Sequence, residues 1–345
     1  MNATVLFAGC GGSSLGLERA GFRSWGYEKW NPAIQTHNAN EMTCFPHDLS
    51  SPRVDMGVRP CDLLWASPPC QPFSAAGDGE GELDDRDGFP WTIRIISKLL
   101  PPVVIIENVK GVTFSKHADY FSSVLRAIAH CGYRVDWRVL NSADYGVPQT
   151  RERCFIVARR DNGPIRWPAP THAQGDSLFL KPWVTMAEAL GWDEGAVLVG
   201  NNTIAGVGLA ERPASGQAMT VGTRGDLWTL HYRQTNRDGE PITCDVTDRP
   251  APTIGTQSAS QWVFTRPATT IAGDTRVFQP GGHHEPGEQS QNAIRLTIAE
   301  LAKLQGFPDD YVWTGTKTDQ ARMIGNAVPP VMAQVLAEAN RPVTR

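Results

Sequence analysis

Short apolar runs alternate with helix-like stretches through the first half of the chain. Val5-Leu6-Phe7-Ala8 reads as a buried strand, and Gly9-Cys10-Gly11-Gly12 turns it into a helical stretch over Ser13 to Ala20. Arg23 to Tyr27 reads as a second strand, followed by a helix over Pro32 to Asn40. Leu63 to Ala66 is another strand and stops just before Pro68-Pro69. Ile93 to Leu100 is amphipathic and helical in spacing, and Val103 to Ile106 is a purely aliphatic run ending at Glu107-Asn108. Such runs suit strands covered on both faces. A helix over Phe121 to Ala129 and strands over Arg134 to Leu140 and Cys154 to Ala158 complete the pattern. The alternation predicts a doubly wound α/β sheet of Rossmann type.

The pattern changes near Gly163. From there to about Gln291 the chain is rich in Gly, Pro, Thr and Ser and has little helical spacing. Arg212-Pro213-Ala214, Arg249-Pro250-Ala251 and Arg266-Pro267-Ala268 recur there, each followed by Thr and a β-branched residue (Thr220-Val221, Thr253-Ile254, Thr270-Ile271). Unequal spacing favours a recurrent turn-then-strand device over a repeat architecture. This predicts a second, smaller, irregular β-rich lobe. Helical pattern returns at Thr297 to Gln305, and a last helix is expected over Pro330 to Ala339.

A chain of 345 residues suits one large domain and a smaller lobe. Apolar residues make up 41% and mean hydropathy is -0.30, ordinary values for a globular protein. No apolar run approaches the roughly 20 residues of a membrane helix, and the N-terminus lacks the layout of a signal peptide. A cytoplasmic location is therefore expected. The seven cysteines are odd in number and form no C-x-x-C pair, which argues against a disulfide framework or a thiolate zinc site. His283-His284 is the single histidine pair, in a Gly-rich stretch without thiolates, so no metal is expected. Net charge is -4, and residues 166–295 carry 10 Lys and Arg against 13 Asp and Glu. Any nucleic-acid partner must then be met by a local cleft and not by overall charge.

The candidate chemistry gathers where strands end. Phe7 to Gly12 lets the backbone approach a ligand at a helix start. Its spacing fails the dinucleotide fingerprint, because Ser14 stands where a third glycine belongs. Glu28 and Asp48 follow at places suited to ribose hydroxyls and an adenine amino group, pointing to an adenosine cofactor without a pyrophosphate; the plainer reading of both acids is capping. Cys70 follows two prolines, which fix the backbone and remove two N–H donors. Glu107 closes an apolar strand and is placed to act as an acid. In Gln149-Thr150-Arg151-Glu152-Arg153, alternation puts Gln149, Arg151 and Arg153 on one face, where two guanidinium groups can support a thiolate or a substrate carbonyl. The plainer alternative is an edge strand with a solvated face.

In this order the motifs resemble those of the C5-cytosine DNA methyltransferase family over nearly the whole chain. The matching pieces are Leu6 to Gly12, Glu28, Asp48, Pro68-Pro69-Cys70-Gln71-Pro72-Phe73-Ser74, Glu107-Asn108-Val109, Gln149 to Arg153, Arg295-Leu296-Thr297 with Leu304-Gln305-Gly306-Phe307-Pro308, and Gly325-Asn326-Ala327-Val328. The resemblance implies S-adenosylmethionine as methyl donor, S-adenosylhomocysteine as product and no metal. It implies that Phe7, Ala8, Gly9, Gly11, Gly12, Glu28, Asp48, Leu49, Pro69, Asn326 and Ala327 bind the cofactor. Cys70 falls on the nucleophile, Glu107 on the acid, and Arg151 and Arg153 on the supporting pair. It further implies a cytosine flipped out of duplex DNA into a covalent Cys70–C6 adduct. The corresponding division is a catalytic domain over residues 1–162 completed by 310–345, a target-recognition lobe over 163–295, and a hinge over 296–309. A monomer at the nucleoid, with a possible restriction endonuclease acting on the same site, completes the expectation.

Two departures stand out. Val5 occupies the place of a frequent Asp, and the segment 75–92 is unusually acidic, with Arg86 at a usual basic position. A tRNA-directed branch of the same family is the nearest rival, and the long lobe argues for DNA. A non-catalytic relative is disfavoured by retention of Cys70, Glu107, Arg151 and Arg153. A dehydrogenase fails on the glycine spacing.

Overall fold

The computed structural model describes residues 1–50, 57–69, 87–175, 177–191, 197–201, 210–213, 218–219, 261–265, 293–294 and 297–343. Cys70, most of the acidic 75–92 segment, the later Arg-Pro-Ala motifs, His283-His284 and Arg295-Leu296 lie outside these residues.

The chain builds β1 (Asn2–Leu6), α1 (Gly12–Arg19), β2 (Arg23–Glu28), α2 (Asn31–Ala39), β3 (Thr43–Pro46), β4 (Leu63–Ala66), α3 (Phe89–Leu99), β5 (Val103–Val109), α4 (Ala118–His130), β6 (Arg134–Asn141), β7 (Gln149–Thr150) and β8 (Glu152–Arg159). Seven strands form one sheet in the order β3-β2-β1-β4-β5-β8-β6. β3 to β5 are parallel, and β8 runs antiparallel to both β5 and β6. Strand order reverses between β1 and β4, the position where open α/β sheets bind ligands.

Both faces of the sheet are covered, as the aliphatic runs require. On one face Leu64, Ala66, Val104 and Ile106 pack with Ile95 and Ile96 of α3 and Phe121, Val124 and Ile128 of α4. On the other, Leu63, Trp65, Val103 and Ile105 pack with Leu17 of α1 and with Met332, Ala333 and Leu336 of α8 (Pro330–Ala339). The last helix thus seals the face opened by the first. Between them lie α6 (Ile298–Leu304) and α7 (Lys317–Asn326), which follow α5 (Met186–Leu190). Short strands occupy the intervening stretch; Val197–Asn201 pairs antiparallel with Ala210–Pro213 and Gln261–Thr265. Ala218–Met219 pairs parallel with β7.

Two expectations are corrected and one unforeseen helix is added. The first strand is Asn2–Leu6 rather than Val5 to Ala8, because Phe7 adopts a left-handed φ of 55° that ends it. The fifth strand continues to Val109, so Glu107 and Asn108 lie within it. Its antiparallel ladder to β8 extends past the parallel one, pairing Glu107 with Phe155 and Val109 with Arg153. Helix α7 has no counterpart in the apolar pattern. Its signal is the capping box Thr316/Asp319, in which the Thr316 hydroxyl accepts from Asp319 N and the Asp319 carboxylate accepts from Thr316 N.

Candidate active site

The C-terminal ends of β1, β2, β4 and β5 and the beginning of β8 meet at one edge. At β1 the chain turns sharply through Phe7 and Gly9 (φ 53°) to Gly11 (φ 102°). Gly9 N donates to Glu28 Oε2 at 3.0 Å, while Glu28 Oε1 accepts from Lys29 N and Trp30 N. Glu28 therefore holds the backbone that leads into α2 without capping the helix itself. It uses three of the roughly four acceptor positions of a carboxylate, and one remains for a ligand hydroxyl. A Cβ at Gly12 would lie 2.3 Å from Val328 O, and one at Gly11 2.6 Å from Met42 Cε. A Cβ at Gly9 would meet nothing within 4 Å among the described residues, so space against this turn is open to a ligand. Buried Ala8 and Leu49 flank the turn and the end of β3, and Asp48 is about half exposed. The Ser50 hydroxyl and N–H hold the Asp48 carboxyl below its ordinary range. The chemistry of this set, two acids at an open glycine turn, fits an adenosine cofactor.

The turn is supported from behind. His37 is fully buried, with Nδ1 3.4 Å from Gly9 O, and burial pulls it down to about 4 against the pull of that carbonyl, so it is neutral near pH 7. The Tyr311 hydroxyl donates to Cys10 O. Neither residue carries a motif that would announce it in the sequence. Asn326 is exposed at the end of α7 and Ala327 buried beside it, and the contact of Val328 O with Gly12 brings this segment to the glycine turn.

At β4 the chain passes from Ser67 into buried Pro68 and exposed Pro69. Asn108 Nδ2 donates to Pro68 O at 3.2 Å, and Gly88 N donates to Pro69 O at 3.1 Å. A Cβ at Gly88 would lie 2.6 Å from Pro69 Cδ. The backbone entering Cys70 is thus clamped by the strand that carries Glu107 and by the start of α3. Burial pushes the thiols of Cys10, Cys44 and Cys154 up to about 12 and that of Cys61 to about 11. These four are packing residues and not thiolate nucleophiles.

Because β8 starts where β5 ends, its first arginine meets Glu107, and Arg151 lies just before the strand. Arg153 Nε lies 3.2 Å from Glu107 Oε1, with the two side chains only 14% and 11% exposed. Arg151 is 3% exposed, and its Nε and Nη1 have no hydrogen-bond partner among the described residues. Burial, then the neighbouring Arg153 charge, pulls Arg151 well down from its ordinary value, with Glu107 opposing. A guanidinium nevertheless stays charged in proteins, so these are orphaned charged donors. The solvated-edge reading of this segment is overturned. Gln149 does not share the face of the arginines: its Nε2 turns to Leu304 O at 3.3 Å and Gln305 Oε1 at 2.7 Å.

Residues 1–341 match the family described as C-5 cytosine-specific DNA methylase. Type II methyltransferase M.AplI of Arthrospira platensis is 31% identical over 335 residues, 97% of this chain and 84% of that protein. Type II methyltransferase M1.HphI of Haemophilus parahaemolyticus is 31% identical, over 97% and 85%. A putative DNA modification methyltransferase encoded within an E. coli prophage superposes with a TM-score of 0.55 at 20% identity over 98% of each chain. The S. pombe Dnmt2 methyltransferase does so with 0.59 at 20% identity, over 98% and 97%; both likenesses concern the fold alone. The chain belongs to the C-5 cytosine-specific DNA methylases and is a DNA (cytosine-5-)-methyltransferase of the S-adenosylmethionine-dependent type.

Proposed function

We propose that the enzyme methylates a cytosine flipped out of a specific duplex DNA sequence, through a covalent bond between Cys70 Sγ and cytosine C6. The observation that carries this reading is the buried guanidinium of Arg151, whose Nε and Nη1 have no partner among the described residues, beside the Glu107–Arg153 pair at the edge into which Pro68-Pro69 leads. A buried charge without an acceptor is costly, so such donors mark a place for a polar ligand.

Cytosine C5 is a weak nucleophile. Attack of the Cys70 thiolate on C6 breaks the C5–C6 double bond and leaves an enamine whose C5 accepts the methyl group. Glu107 is the acid that hydrogen-bonds N3 and stabilises the electron-rich ring, and Arg153 fixes its carboxyl group. Arg151 supplies donors to the base or the thiolate. S-adenosylmethionine, when bound, supplies the methyl group; Phe7, Ala8, Gly9, Gly11, Gly12, Glu28, Asp48, Leu49, Pro69, Asn326 and Ala327 hold it. The C5 proton passes to water, its electron pair re-forms the C5–C6 double bond as the C6–S bond breaks, and Cys70 leaves as the thiolate, which restores the aromatic ring. Neither C5 nor C6 is reachable within a stacked duplex, hence the flipping.

The reading divides the chain into a catalytic domain over 1–162 and 310–345, a recognition lobe over 163–295 and a hinge over 296–309. It expects a monomer in the cytoplasm at the nucleoid, with a restriction endonuclease for the same site as a possible companion; the Type II relatives support that association. Bisulfite sequencing of a plasmid carrying the gene is expected to reveal one protected cytosine context. The Cys70→Ser variant is expected to leave that plasmid unmethylated while binding S-adenosylhomocysteine as the native enzyme does. Substantial turnover by this variant would sink the covalent mechanism. Labelled methyl transfer to tRNA in place of duplex DNA would shift the substrate to the tRNA branch.

A further inference from the structure

The two buried amides that link the arginine strand to the cofactor segment have no part in the chemistry above. Gln149 lies two residues before Arg151, and its Nε2 donates to Gln305 Oε1 at 2.7 Å. Gln305, which caps the C-terminus of α6, donates in turn from Nε2 to Ala327 O at 2.6 Å. Both side chains are 0% exposed. A buried amide deprived of its partner carries a desolvation cost that water does not relieve, which ties the two amides to each other and to the Ala327 carbonyl; Gln149 Nε2 also donates to Leu304 O, at the longer distance of 3.3 Å. The chain of bonds has a start and an end with meaning. At its start, the backbone of Gln149 pairs with Ala218 of the intervening stretch. At its end, Ala327 stands between Asn326 and Val328, and Val328 O sits where Gly12 has no room for a Cβ.

We propose that Gln305 is a positioning residue, which sets the Ala327 carbonyl, and with it the cofactor segment, from the stretch Gln149 to Arg153 that carries the two arginines. The proposal rests on the reading of Asn326 and Ala327 as cofactor-binding. It assigns Gln149 an effect on cofactor affinity although Gln149 lies on the side of the base pocket. The relay is made of side-chain amides in fixed donor-to-acceptor order, so each residue depends on the other.

The test is calorimetric titration of the full-length enzyme with S-adenosylhomocysteine, without DNA. Native protein that fails to bind would overturn the cofactor reading itself, before any substitution is compared. Gln305→Met and Gln149→Met are each expected to weaken binding about tenfold, the size of one buried hydrogen bond. The double variant is expected to bind about as weakly as either single one, because the members of a relay are not additive. Undiminished affinity in Gln149→Met, or a double variant showing the product of the two losses, would overturn the relay. Gln305→Glu gives a readout that a purely structural role would not move, and it serves even if the methionine variants do not fold. The introduced carboxyl accepts from Gln149 in either form but donates to Ala327 O only when protonated. Its affinity relative to the native enzyme is expected to fall as pH rises through the titration of that buried carboxyl. A ratio that stays flat with pH would also overturn the proposal.

Discussion

The parallel side of the sheet, around β1 and β2, and its antiparallel side, around β5 and β8, present different materials at the same edge. Around β1 the site is backbone: a left-handed turn, glycines without room for a side chain, and N–H groups held by Glu28. Around β8 it is side chain: a 3.2 Å ion pair shielded from solvent and a second guanidinium with orphaned donors. The parallel strands all end at the edge, so their following loops can fold over a ligand. The reversed strand instead begins there, which pairs Arg153 with Val109 and leaves Arg151 just before the strand, near enough for its charge to be felt by Glu107. The two halves therefore fail in different ways. The backbone half is sensitive to any added atom, and the side-chain half to any lost charge.

The largest expected effect comes from the side-chain half. Arg153→Met leaves Glu107 without its partner and is expected to lower turnover on the order of a hundredfold, the range for one preorganised electrostatic group. Labelled methyl incorporation measures it; affinity for S-adenosylhomocysteine is expected to hold. A parallel loss of cofactor affinity would erase the distinction between the halves. In the backbone half, Gly12→Ala forces a Cβ against Val328 O and is expected to cost about 1–3 kcal/mol by overpacking. It should raise the KM for the methyl donor while leaving turnover at saturation nearly unchanged, and a fall in kcat with unaltered KM would contradict it. A smaller effect is expected at Asp161, where β8 leaves the sheet. Burial opposes its ionisation, but bonds from Arg159, Val343 N and Gly163 N outweigh it and hold the carboxyl below its ordinary value. A depressed folded value means the contribution is fully present above the unfolded value near 3.8 and is lost as pH falls through the folded one. Thermal melts of Asp161→Asn and native protein should therefore converge on acidification; a gap that widens would refute the assignment.

Much of this was legible in the order of residues. The aliphatic run at Val103 can be satisfied only between two covered faces, and the prolines before Cys70 and the glycines after Leu6 state their backbone needs directly. Helix α7 was not legible, because its apolar positions are sparse and its start is marked by a cap and not by periodicity. The extension of β5 through Glu107 was hidden for a different reason. It depends on the reach of an antiparallel partner 44 to 48 residues away in sequence.

The sequence by itself determined the family, the parallel core and the identity of the groups that do the chemistry, because strand patterning and motif order are local properties. Only the tertiary structure decided that Arg151 and Arg153 are buried beside Glu107 while Gln149 turns away to Gln305. Alternation along a strand predicts one shared face, but the break between β7 and β8 at Arg151 cancels it. Burial of a charge is likewise a property of everything packed around it, and no stretch of neighbouring residues encodes it.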